Sequence, residues 1–228
     1  MPIVEMLASS GFGSLLGVRH ALEPDHLTAV STLVSREHSG VRAAWLGVCW
    51  GIGHTLALFL VGAALIGLRA EMPPAASVFF EYGVAAMLVG LGLKTIAAAA
   101  RSGVDGPPHV HRHGHVVHRH PGVPAHVHIG AWTLARRPLL VGAVHGLAGS
   151  GALTALVLAT LPSTAARLAY LALFGLGSTV SMAALSGLLG WPLARLGSHR
   201  LLARALSFAV GCTSTALGVF YGSRVLGF

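Results

Sequence analysis

The sequence is short of charge. Only 10% of its 228 residues are Asp, Glu, Lys or Arg, against about 25% in a typical soluble domain. That excludes a water-soluble globule of this size, because such a surface needs charge to stay in solution. Carboxylates are scarcest: there are seven, and none follows Asp105. The second half therefore has no paired carboxylates for acid–base chemistry. The two cysteines, Cys49 and Cys212, lie in apolar stretches. They make no disulfide framework and read as small membrane residues. No GxxxxGK[ST] sequence occurs, so this chain has no P-loop of its own, and energy is expected from an ion gradient, the metal potential or a separate subunit. An HExxH zinc-protease motif is missing as well. A rhomboid-like serine protease would need a histidine in its last span, and none is there. An enzyme is not expected. The opening MPIVEML has no positive stretch, so no cleavable signal peptide is expected.

What is present is apolar: 54% hydrophobic residues, 30 glycines and a mean hydropathy of +0.73. Small residues let membrane helices pack closely. Crossing ~30 Å of hydrocarbon takes about 20 helical residues. Six segments qualify, at about 8–34, 44–68, 78–100, 139–161, 165–190 and 204–226. Backbone in lipid must bond within its own segment, so these are helices. The expected fold is all-α and polytopic. Most prolines fall between or at the ends of spans, whereas Pro24 lies deep inside the first one. It removes a backbone donor there and predicts an interrupted helix.

Arginine and lysine are unevenly spread. Eleven lie on or beside loops one, three and five, including Arg36, Arg101, Arg112, Arg136 and Arg200; only Arg69, Arg167 and Arg224 lie on the other side. The positive-inside rule then puts both termini outside and the odd loops in the cytoplasm. The excess of positive charge is read as topology, with no nucleic-acid partner. The chain also repeats itself. Gly17-Val-Arg-His20 resembles Gly142-Ala-Val-His145, and Gly51-Ile-Gly53-His54-Thr55 resembles Gly175-Leu-Gly177-Ser178-Thr179. Three spans per copy make the second copy inverted, a pattern of secondary transporters with a site near the midplane. The expected organisation is one three-helix repeat at 1–100, a loop at 101–137 and a second repeat at 138–228. Glycine-rich faces permit a homo-oligomer.

Fourteen histidines, twice the number of carboxylates, are the chain's oddity. Eight crowd the middle loop: His109, His111, His113, His115, His118, His120, His126 and His128. Neutral imidazole binds divalent transition metals. The irregular spacing fits weak auxiliary binding by a loop that is disordered without metal. The first span carries Arg19, His20, Glu23, Asp25 and His26. Ionisable groups at a helix centre cost about 2.5–3.5 kcal/mol each and mark function. In a regular helix, at about 100° per residue, His20 would sit about 140° from Asp25 and about 240° from His26. A break at Pro24 brings them around one point. His20, Asp25 and His26 are the expected metal ligands, with His54 from the second span. Two imidazoles and a carboxylate suit divalent Ni, Co, Zn, Fe or Mn. Arg19 is expected to pair with a carboxylate when no ion is bound. Glu23, Thr55, His145, Ser150, Ser178 and Thr179 are candidates for the pathway or the surroundings of the ligands.

HALEPDH (20–26) resembles the HX4DH signature of the nickel/cobalt transporter superfamily. GIGHT (51–55) and HGLAGSGAL (145–153) resemble companion motifs of its six-span, urease-accessory UreH-like branch. Classical members have eight spans. The resemblance implies transport of Ni2+ or Co2+ across the bacterial cytoplasmic membrane, with no resident cofactor. It also implies a link to urease or hydrogenase maturation. His20, Asp25 and His26, with His54 alongside, would then recognise the ion. Uptake is the expected direction; efflux and a membrane metal sensor without translocation are the alternatives.

Overall fold

A computed structural model describes residues 3–35, 37, 39–101, 109–113, 116–120, 126–129, 132–148, 161, 163–196 and 200–225. Its body is helical: α1 Ile3–Ala21, α2 Pro24–Val34, α3 Gly40–Leu68, α4 Pro74–Arg101, α5 Arg136–Ala148, α6 Thr164–Leu196 and α7 Arg200–Val225. Among the described residues, four segments are long and apolar enough to cross a membrane: Gly40–Leu68, Pro74–Arg101, Thr164–Pro192 and Leu201–Val225. The first expected span is divided into α1 and α2. Of the fourth, 149–160 lies outside the described residues. Large apolar side chains such as Phe12, Leu15, Leu60, Phe79, Leu176 and Leu188 are exposed. A surface so apolar needs lipid, not water, as its solvent. The protein is a membrane protein.

The division of the first span follows from Pro24. Its ring nitrogen cannot donate to the His20 carbonyl, and that carbonyl accepts the Glu23 N–H at 3.0 Å instead. Leu22 likewise donates to Arg19 at 3.0 Å, so α1 closes in a tightened last turn. Pro24 then opens α2 at a position where a missing N–H costs nothing. Asp25 follows in the first turn, where the positive helix end favours a carboxylate.

Glycines let the helices approach to backbone contact, α3 against α5 and α6, α1 against α6, and α4 against α7. A methyl group at Gly142 would strike the Trp50 carbonyl and the His54 nitrogen. One at Gly17 would strike the Phe174 carbonyl and the Ser178 nitrogen. Gly53 faces the Leu139 carbonyl, and Gly177 faces that of Ser14. Thr55 and Thr179 meet hydroxyl to hydroxyl at 2.9 Å. Ser214 donates to the Leu88 carbonyl at 2.8 Å between α7 and α4. One core cluster gathers Val30, Val34, Trp50, Leu88 and Met182. A second gathers Leu58, Tyr170, Leu171 and Phe174. Among the described residues the strands are two hairpins, β1 His109–His113 with β2 Val116–His120 and β3 His126–Ile129 with β4 Trp132–Ala135.

Candidate metal centre

The helix break places three residues of the HALEPDH stretch in the protein interior. His20 is 4% exposed, Asp25 5% and His26 not at all. α3 adds His54 and α5 adds His145, both fully buried. Buried imidazoles in an apolar bundle are costly unless something bonds their nitrogens. Here the bonding is incomplete in a consistent way.

His20 meets Glu23 through Nδ1, at 3.0 Å from Oε2, and its Nε2 is buried without a partner. His26 meets Asp25 Oδ1 through Nδ1 at 3.2 Å, and its Nε2 is also buried without a partner. Both nitrogens of His54 are unpartnered. A carboxylate on one ring nitrogen fixes the tautomer and leaves the other nitrogen's lone pair for a metal. One ligand atom each from His20, His26 and His54 lies within 4.8 Å of the others. The ring centroids are 4.3 Å apart for His20–His26, 5.2 Å for His20–His54 and 5.5 Å for His26–His54. Three neutral imidazoles in a buried cluster suit a borderline divalent cation.

Asp25 holds a different place from the one its spacing implies. Its Oδ1 accepts the backbone N–H of His26 at 3.0 Å and faces that ring's Nδ1. Its Oδ2 lies 2.7 Å from His145 Nε2. It stands beside the three-imidazole set and aligns it. A second potential ligand group combines Asp25, His26 and His145.

Other expected residues lie elsewhere. Arg19 is exposed, and both nearby carboxylates meet histidines, so the expected Arg19–carboxylate pair does not form among the described residues. Thr55 donates to the Gly175 carbonyl or shares a hydrogen with Thr179, each at 2.9 Å. Both threonines therefore serve the α3–α6 crossing. Ser178 is buried, its hydroxyl 4.0 Å from the Met182 sulfur. Ser150 and His115 lie outside the described residues. The other loop histidines are on the hairpin strands. Trp50, unremarked in the sequence, is fully buried and stacks on His26 with ring centroids 5.5 Å apart. Its place one helical turn before His54 is the signal that could have found it.

Glu23→Gln keeps the size but weakens the acceptor that orients His20. Affinity for Co2+ should fall about tenfold, read by spectroscopic titration of the purified protein. Unchanged affinity would remove Glu23 from the centre.

An apolar helical bundle with a broken first helix and a buried histidine cluster defines a polytopic membrane protein built around a buried group of potential metal ligands. The chain is 31% identical over 221 residues to the urease accessory protein UreH of Bacillus sp. (strain TB-90), covering 97% of this chain and 93% of that one. It belongs to the UreH-like branch of the nickel/cobalt transporter superfamily. No protein-family model and no solved structure matches it.

Proposed function

We propose that this protein carries Ni2+ or Co2+ across the bacterial cytoplasmic membrane as a secondary transporter, with uptake as its direction. The carrying observation is the convergence of His20, His26 and His54, with unpartnered nitrogens, in the interior of a membrane bundle. A group of buried lone pairs without partners is a liability unless a cation visits it. The chain is a carrier and not an enzyme. The urease-accessory name of its relative supports a role in supplying nickel for enzyme maturation.

The transport architecture is two inverted three-helix repeats, six spans in all. Reciprocal packing supports it. Moving Gly53 forward by 124 and Leu139 back by 125 turns the Gly53–Leu139 contact into the Gly177–Ser14 contact with its partners exchanged. The Gly17 contacts with Phe174 and Ser178 map in the same way onto the Gly142 contacts with Trp50 and His54. Thr55 touches its own equivalent, Thr179, as residues on a two-fold axis do. The excess of positive residues puts the termini outside and the histidine-rich segment in the cytoplasm, where it buffers the ion.

Cells expressing the protein should accumulate Ni2+ or Co2+ above cells without it. Removal of 109–128 should leave most of that accumulation, because the pathway lies in the bundle. Accumulation lost entirely with the loop, in protein still present in the membrane, would favour a loop-centred sensor. Depletion of cellular metal would make the direction efflux.

A further inference from the structure

His145 is the member of the cluster that the second half of the chain supplies. It is fully buried and comes from α5, in the half of the chain without carboxylates. Its Nε2 reaches Asp25 across 120 residues of sequence at 2.7 Å, while its Nδ1 is buried without a partner. Its ring centroid lies 4.0 Å from that of His26 but 6.3 Å from that of His54. Asp25, His26 and His145 each offer a ligand atom within 4.8 Å of the others. Two groups of three therefore overlap at one residue, His26.

We propose that Asp25, His26 and His145 form a second station for the transported ion, sharing His26 with the His20–His26–His54 station. The proposal rests on the transport reading and adds to it a step inside the bundle. The first station offers three imidazoles. The second offers two imidazoles and a carboxylate, a harder and negatively charged set. An ion entering between Asp25 Oδ2 and His145 Nε2 takes the place of the hydrogen that bridges them, which passes to the bare Nδ1 of the same ring and leaves the Nε2 lone pair for the ion. His26 Nε2, the ring nitrogen that Asp25 leaves bare, is common to both stations, so the ion changes partners without leaving it and a single ion occupies the pair. The second station draws on both halves: α2 supplies Asp25 and His26, and α5 supplies His145. A movement of one half against the other would open or close it without disturbing the first.

The test uses the full chain in vesicles, with Co2+ as the probe and the wild type as spectral reference so that the loop cancels. His145→Gln can still hydrogen-bond Asp25 but loses the imidazole. Flux should fall about tenfold or more, while the first station still takes Co2+. Wild-type flux in His145→Gln would make His145 a mere hydrogen-bond partner and overturn the proposal. A loss of one bound Co2+ per chain in that variant would overturn the sharing of His26. His145→Cys guards against misfolding of the first variant. It should add a sulfur-to-cobalt charge-transfer band that the wild type lacks, and absence of the band in a monodisperse sample overturns the station. If the wild type moves no metal, the transport reading fails, and the band still decides whether the second station exists.

Discussion

His26→Gln should abolish metal accumulation and lower Co2+ affinity about 100-fold, with the protein still present in the membrane. Among the described residues no other position combines so much. His26 is common to both groups of potential ligands, and its Nδ1 is held by Asp25 while its Nε2 is bare. Trp50 packs on its ring and keeps water away. Gln fills similar space but offers only an amide, a poor ligand for a borderline dication. Accumulation in cells and cobalt spectroscopy on the purified variant check this from two sides. Retention of both in the variant would place the centre elsewhere.

The second large effect is on the bundle. Gly142→Val should lower the melting temperature sharply and remove metal binding with it. The added side chain meets the Trp50 carbonyl and the His54 backbone nitrogen. Those are rigid helix atoms that cannot rotate away. Overpacking by even a methylene or two costs about 1–3 kcal/mol, and valine adds three carbons against a backbone. α5 must retreat from α3 and take His145 from Asp25. Gly17→Val should cost about as much, since it meets Phe174 and Ser178 in the equivalent way. Equal costs support two reciprocal repeats; a harmless Gly17→Val would count against them. Gly90→Ala is the control, because nothing lies within 4 Å of a methyl group there. Its melting temperature should be unchanged or higher. Thermal unfolding in detergent, with and without Co2+, reads all three variants.

Much of this centre is legible in the sequence because its main device is local. A proline inside a span that also carries five ionisable residues predicts the break, and Pro24 does divide α1 from α2. The gathering of His20 and His26 then follows from chain geometry. His54 is legible for another reason: glycines beside it announce a close helix contact. The setting of Asp25 is only half legible. The motif offers it as a ligand beside His20 and His26, and it does belong to a potential ligand group, but with His26 and His145; the direction of a carboxylate depends on a partner far along the chain. That partner is His145, whose own neighbours, Gly149 and Ser150, give no sign of a carboxylate. Trp50 is missed for a related reason, since a tryptophan in an apolar span usually reads as packing. Arg19 errs the opposite way. Charge alone pairs it with Glu23 or Asp25, but the turn before Pro24 leaves it exposed while histidines take both carboxylates.

The most direct measurement of the central claim is metal flux into vesicles containing the purified protein, compared across Ni2+, Co2+, Zn2+ and Mn2+. Saturable movement of Ni2+ or Co2+ should appear with the wild type and disappear with His26→Gln. Flux of none of these ions through the wild type, or equal flux through the variant, would contradict the account.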